Sequence, residues 1–215
     1  MGNYKAFLFD LDGVIVDTAK YHYLAWKRLA DELGVFFDEE KNEAFKGVSR
    51  AKCMELLAGW GGLSLSEDEM VSYAARKNGW YVEYLAELDE SELLPGALDT
   101  LKEAKRRGVK CAICSASKNT MTILARLGIA SYFDSIVDGN RASKAKPDPQ
   151  VFLMAAAELG VTREEAVIFE DSLAGVQAGN AEGIYVVGIG EEKNLPGAGV
   201  CIPDLARLDL DKLLK

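Results

Sequence analysis

Five short apolar runs punctuate the chain, at residues 5–9, 109–114, 135–137, 166–169 and 184–187, and each reads as a strand. Between most of them lie helical stretches with legible ends. Pro95 and Gly96 open one that Gly108 closes, and Pro149 begins another that stops at Gly160. The quartet Thr162-Arg163-Glu164-Glu165 has capping-box spacing and predicts a short helical turn before the fourth run. Strands alternating with helices of this length predict an α/β fold, a doubly wound, Rossmann-like parallel sheet. In such sheets ligands sit outside the carboxyl ends of the strands.

The interval from Thr18 to Leu94 breaks the alternation and is helical throughout. One helix, 18–33, ends at Gly34, and a second, 38–46, ends at Gly47. Ser49 starts a third, and Ser66-Glu67-Asp68-Glu69 caps a fourth that runs towards Leu88. This is too much helix for a loop. It predicts an inserted helical cap domain, residues 18–90, standing over the strand ends of a catalytic core made of residues 1–17 and 91–215. No internal repeat or low-complexity segment interrupts the chain.

At 215 residues, 49% of them hydrophobic, the chain is long enough for one good core and a smaller second lobe. Its 25 basic and 34 acidic residues give a net charge of −9, which argues against nucleic acid or an anionic membrane as the main partner. No stretch reaches the ~20 apolar residues of a membrane span. The N-terminus runs into a strand without a signal-peptide pattern, so a soluble, cytoplasmic protein is expected. Cys53, Cys111, Cys114 and Cys201 make no disulfide framework in a domain of this size. Cys111 and Cys114 have CxxC spacing but fall within one strand. Residues three apart there face opposite ways, so both thiols are expected to pack as small apolar groups.

Candidate chemistry gathers where the strands end. The first run stops in Asp10-Leu11-Asp12-Gly13. Residues two apart in extended chain face the same side, so Asp10 and Asp12 are expected to converge, with Gly13 permitting the turn. One carboxylate can attack phosphorus while its neighbour moves a proton. Ser115 follows the second run, Lys146-Pro147 follows the third by a loop, and Glu170-Asp171 follow the fourth. Singly, each has a plainer reading: a turn residue, a solvated charge, the acidic first turn of the next helix. Together they supply a nucleophile, a hydroxyl, a cation and hard-oxygen ligands, the inventory of Mg²⁺-assisted phosphoryl transfer. Lys144 lies near Lys146, and Pro147 favours Lys146 as the residue that meets the phosphate.

Asp10-Leu11-Asp12-Gly13-Val14, Ser115, Lys146-Pro147 and Glu170-Asp171, in this order, resemble the motifs of haloacid dehalogenase superfamily phosphotransferases with a helical cap after the first strand. The resemblance implies that Asp10 is the phosphoryl-accepting nucleophile and Asp12 the general acid/base. Ser115 and Lys146 would hold and neutralise the transferring phosphate. One Mg²⁺ would sit on the Asp10 carboxylate, the Asp12 backbone carbonyl, Glu170 and Asp171. The second aspartate, Asp12, is shared with many phosphatases and mutases of the superfamily, whereas its dehalogenases and P-type pumps have a different residue there.

The cap narrows the likeness. The segment from Thr18 to Trp26, then Lys46-Gly47-Val48-Ser49-Arg50, Arg76-Lys77-Asn78 and Ser115-Ala116-Ser117-Lys118-Asn119 resemble the sugar-phosphate mutase branch of the superfamily. Residues 138–145 and the tail beyond Gly190 fit less well. His22, the single histidine, shares a helix face with Trp26, Leu29 and Leu33 and reads by itself as the edge of a helix–helix core. The resemblance implies instead that it bonds Asp12 and couples cap closure to that residue's orientation. Arg50 starts a helix just after Gly47, where its guanidinium and nearby N–H groups can meet an anion. A simple surface charge is the alternative for Arg50 and for Lys77. On the resemblance, Arg50 with Ser117, Lys118 and Asn119 would hold a second phosphate, and Trp26 and Lys77 would meet sugar hydroxyls. Lys46, Gly47, Val48, Ser49 and Ala116 complete the implied substrate site. The implied reaction interconverts β-D-glucose 1-phosphate and D-glucose 6-phosphate through β-D-glucose 1,6-bisphosphate, which serves as activator and intermediate. A monomer acting on small sugar phosphates is expected. A sugar-phosphate phosphatase of the same fold is the alternative, and a catalytically dead phosphosugar sensor is disfavoured by the intact acidic residues.

Overall fold

The computed structural model describes residues 4–45 and 48–214. The chain divides into two compact units, one of Met1–Asp17 with Asp89–Lys215, the other Thr18–Leu88.

The first unit carries six strands: β1 (Ala6–Phe9), β2 (Lys110–Cys114), β3 (Ser135–Val137), β4 (Ala166–Glu170), β5 (Tyr185–Ile189) and β6 (Val200–Ile202). They form one parallel sheet in the order β3-β2-β1-β4-β5-β6, the Rossmann arrangement. The strand order reverses at β1, so β1 and β4 flank the point where ligands of such sheets bind. Register fixes which residues emerge together: Phe9 lies opposite Ile113 on one side and Phe169 on the other. The next residues, Asp10, Cys114 and Glu170, therefore reach the same sheet edge.

Both sheet faces are buried, which is why the strands read as continuous apolar runs. Ala6, Leu8, Ala112, Cys114 and Ile168 line one face. The opposite face holds Phe7, Phe9 and Phe169, with the Phe9 and Phe169 rings stacked at 4.7 Å. Each buried phenylalanine contributes about 1.5–3 kcal/mol. Cys114 joins the first face and Cys111 does not, so the CxxC thiols point apart as expected. All four cysteines are free thiols. Burial pushes the Cys111 thiol up to about 12, with Asp134 adding to it.

In the helical unit, α1 (Ala19–Glu32), α2 (Glu39–Glu43), α3 (Arg50–Gly61) and α4 (Glu67–Tyr84) start where the sequence signals them. Asp38 and Ser49 each accept a backbone N–H three residues on, and Ser66 with Glu69 forms a full capping box. The second helix is shorter than the expected 38–46. It gives way to a turn at Ala44-Phe45 that buries the Phe45 ring edge-on against Trp26 at 5.1 Å. Its expected end, Lys46 and Gly47, lies outside the described residues. Trp26, Leu29, Phe37, Met54 and Leu57 form the centre of this unit's own core.

Back in the sheet unit, α5 (Ala97–Arg106), α6 (Thr120–Arg126), α7 (Gln150–Leu159) and α8 (Leu173–Ala181) connect successive strands. The capping box at Thr162 is present and holds a single 3₁₀ turn before β4. Among the described residues, no helix is long and apolar enough to cross a membrane.

Candidate phosphoryl-transfer site

The site is built on the backbone of three strands. Asp10 N–H donates to the Phe169 carbonyl at 2.9 Å, and Ser115 N–H donates to the Val137 carbonyl at 3.0 Å. These bonds extend the ladders by one residue and bring Asp10, Ser115 and Glu170 to the carboxyl edge of the sheet. All three are buried there.

Lys146 binds this edge together. Its Nζ donates to Asp10 Oδ1 at 2.5 Å and to Glu170 Oε2 at 2.7 Å, and the residue is 7% exposed. Burial opposes its charge, but Asp10 and Glu170 more than offset that and hold its pKa above the ordinary lysine value. Lys144 instead pairs with Asp148 at 3.2 Å on the surface.

Asp10, Glu170 and Asp171 each present a carboxylate oxygen within 4.8 Å of the others. Burial raises the Asp10 pKa well above the usual carboxylate range; Lys146 opposes the rise, while Glu170, Asp171 and Asp12 add to it. Three carboxyl groups against one ammonium leave the cluster acidic, with Glu170 buried and Asp171 half-buried. Such a donor set, all hard oxygen, suits a small divalent cation. Asp12 is close enough for its charge to act on Asp10, but its carboxylate is not one of the converging three.

Two glycines make room for the acids. Gly13 turns the chain after β1 at φ +80°, and a Cβ there would stand 2.1 Å from Asp171 Oδ2. In α8, a Cβ on Gly175 would lie 2.0 Å from the Glu170 carboxyl carbon. Ser172 fixes the other oxygen of Glu170, donating from Oγ at 2.7 Å and from its backbone N–H at 3.1 Å. Its Oγ also accepts the Gly175 N–H and so caps α8. Neither Ser172 nor Gly175 stands out in the sequence reading, although serine at the first helical boundary after an acidic pair is a legible cap.

The loop 115–119 leaves β2 in a tight course. Ser115 Oγ accepts the Ser117 N–H at 3.0 Å, and Ser117 Oγ accepts the Asn119 N–H at 3.1 Å. Among the described residues, the backbone N–H groups of Ala116 and Lys118 have no protein acceptor. Ser115 is 2% exposed and Lys118 is exposed to solvent.

Within the helical unit, His22, Trp26, Lys77 and Tyr81 form one cluster, with Arg50 near enough to act on His22 electrostatically. Lys77 is not a surface charge: it is 2% exposed, with Nζ 2.8 Å from His22 Nδ1. The same ammonium lies 4.8 Å from the Trp26 ring centre and 4.9 Å from that of Tyr81. His22 stacks on Tyr81 at 3.9 Å. Burial first, then Lys77 and Arg50, depress the His22 pKa well below its ordinary value, so the imidazole is neutral and Nδ1 accepts from Lys77. Arg50 is half-buried, and burial lowers its pKa somewhat. Val48 packs against the core of this unit, and Ser49 caps α3. Lys46 and Gly47, two of the expected substrate residues, lie outside the described residues.

A family profile of haloacid dehalogenase-like hydrolases matches residues 4–183. The chain is 38% identical to the β-phosphoglucomutase of Bacillus subtilis over 97% of its own length and 93% of that protein. It is 29% identical to a phosphorylated carbohydrates phosphatase of Thermotoga maritima over 84% of its length and 82% of that protein. A crystal structure of β-phosphoglucomutase from Clostridium difficile superposes with a TM-score of 0.94 at 38% identity, covering 98% of this chain and 95% of that one.

Proposed function

The chain belongs to the haloacid dehalogenase-like hydrolase family, and on that premise we propose that it is a phosphomutase interconverting β-D-glucose 1-phosphate and D-glucose 6-phosphate. The observation that carries this reading is that its likeness to the mutases runs through the helical unit as well as the sheet, at a higher identity than its likeness to the carbohydrate phosphatase.

Asp10 is the nucleophile. Its carboxylate oxygen attacks the C1 phosphate of β-D-glucose 1,6-bisphosphate; the bond from phosphorus to O1 breaks, Asp12 supplies the proton to O1, and glucose 6-phosphate leaves. The 6-hydroxyl of β-glucose 1-phosphate then attacks the aspartyl phosphate while Asp12 takes its proton, restoring the bisphosphate and the free carboxylate. Ser115 and Lys146 grip the transferring phosphate, with Lys146 already charged and seated against one oxygen of the Asp10 carboxylate. A mutase must exclude water from the aspartyl phosphate, and a hold on the second phosphate favours closure. We assign that hold to Arg50 with Ser117, Lys118 and Asn119, and the sugar hydroxyls to Trp26 and Lys77. His22 is assigned to orient Asp12. Its neutral ring, with Nδ1 engaged by Lys77, keeps a proton on Nε2 for donation.

The converging oxygens of Asp10, Glu170 and Asp171, crowded together where Gly13 and Gly175 lack a Cβ, fit Mg²⁺, with the Asp12 carbonyl as a further ligand. Bound there, the ion would neutralise the acids and the charge developing on the phosphoryl oxygens. We also infer a cytoplasmic monomer that works on small sugar phosphates; nucleic acid and anionic lipid are disfavoured as partners by the net charge of −9.

The test is a product count. The protein is incubated with β-glucose 1-phosphate, Mg²⁺ and a trace of bisphosphate, and glucose 6-phosphate is measured against free phosphate. Glucose 6-phosphate should dominate. Mostly free phosphate would move the assignment to the phosphatase alternative.

A further inference from the structure

The loop 115–119 is held from behind by a turn that the chemistry described so far does not use. Asp138, directly after β3, is 4% exposed, although it carries a carboxylate. Its Oδ1 accepts the Asn140 N–H at 2.9 Å and its Oδ2 accepts from Asn140 Nδ2 at 3.0 Å. The same Nδ2 donates to the Lys118 carbonyl at 3.0 Å. Both partners of that nitrogen are acceptors, so the carboxamide can face them only with its NH₂ end. Between the two residues, Gly139 N–H donates to the Ser117 carbonyl at 3.1 Å. The approach is close: a Cβ on Gly139 would stand 2.3 Å from the Ala116 carbonyl oxygen.

The turn is itself anchored. Arg141 and Ala142 N–H groups donate to the Asp138 carbonyl, and the Arg141 guanidinium donates to the Ile136 carbonyl and pairs with Glu158 of α7. Ser135 Oγ donates to the same glutamate at 2.6 Å. The Ser117 and Lys118 carbonyls are thus tied to a braced element, while the Ala116 and Lys118 N–H groups stay available to an anion.

We propose that the turn 138–140 is the positioning element of the phosphate-gripping loop, with Asn140 and Gly139 acting through the loop's carbonyls and Asp138 holding Asn140 in place. This rests on the phosphoryl-transfer reading of loop 115–119. None of the three touches the reacting atoms; they set where the loop's donors stand.

Two variants act by different means. Asn140→Ala removes the donor to Lys118; the bond is exposed, so KM for β-glucose 1-phosphate should rise only about two- to fivefold. Gly139→Ala forces the loop back by roughly 1 Å, and kcat/KM should fall about 10²-fold. Affinity of the Mg²⁺-loaded protein for inorganic phosphate, read by calorimetry, should weaken in the same order, with Tm held within ~5 °C. Asn140→Gln, which keeps a carboxamide donor, should recover part of the loss. Unchanged KM and phosphate affinity in both variants would overturn the proposal, as would losses that merely follow Tm. The phosphate measurement needs no turnover. If the unaltered protein made no glucose 6-phosphate, the functional reading would fail while phosphate affinity still decided the role of the turn.

Discussion

Lys146→Met is the sharpest single perturbation of the site, because it removes one buried charge and leaves its partners in place. Asp10 Oδ1 and Glu170 Oε2 would lose an ammonium at 2.5 and 2.7 Å and face one another in a pocket where neither residue is more than 8% exposed. Breaking a buried pair by removing one partner costs about 3–5 kcal/mol. In a chain of this size each kcal/mol moves Tm by about 2–4 °C, so the loss should be about 6–20 °C. Asp10 already binds its proton more readily than an ordinary carboxylate, through burial and its acidic neighbours. Protonating it relieves the repulsion, so the deficit should be larger at pH 8 than at pH 5. Mg²⁺ should return part of it, since saturation at a hundred times Kd is worth about 2.7 kcal/mol. Differential scanning calorimetry of both proteins, at both pH values and with and without Mg²⁺, reads all three effects, and mutase turnover should be lost throughout. A variant as stable as its parent at pH 8 without the ion would show that Lys146 does not neutralise these acids, and the charge balance drawn for the site would be wrong.

Gly175→Ala should reverse the usual helix rule. Alanine gains about 0.5–1 kcal/mol over glycine within a helix, but here the methyl collides with the Glu170 carboxyl carbon at 2.0 Å, so Mg²⁺ affinity measured by calorimetry should fall while α8 remains folded by circular dichroism. The depressed pKa of His22 makes the unfolded chain bind more protons below the ordinary value of about 6.5. Stability should therefore be complete above that pH and decline as pH drops towards the depressed value, by at most about 1.4 kcal/mol per pH unit, and His22→Gln should flatten the urea-denaturation profile. Arg50→Ala should depress mutase turnover far more than hydrolysis of a small phosphate ester; equal losses would remove Arg50 from the second-phosphate site.

The sheet and much of the proposed site were legible because Asp10, Ser115 and the pair Glu170-Asp171 stand at the ends of runs whose burial on both faces leaves no polar alternation. The helix starts were equally plain, since Asp38, Ser49 and Ser66 all act as caps. Other features depend on contacts that no local pattern encodes. β6 spans only Val200–Ile202 at the sheet edge, too short to stand out as an apolar run. β5 continues through Gly188 to Ile189, although a glycine ordinarily weakens a strand signal. Lys77 looks like a solvated charge on α4 but is buried, with Trp26, His22 and Tyr81 around its ammonium. The brace at Asp138-Gly139-Asn140 joins two loops distant in sequence, so it is visible only once the strands stand side by side.

The register of β1 has a consequence for how the protein comes into being. Ala6 pairs with Lys110 on one flank and Ala166 on the other, so β1, the first of the six strands in the chain, is enclosed only once β2 and then β4 have been made. Until both neighbours arrive, a wholly apolar tetrapeptide, Ala6-Phe7-Leu8-Phe9, has two open edges and the helical unit is synthesised in the interval. Unpaired edges of this kind invite association with other chains, and parallel pairing over such separations is slow. Asp10, the proposed nucleophile, directly follows that same strand. Recovery of activity during refolding should therefore coincide with closure of the sheet around β1, which makes turnover a direct clock for that step of assembly.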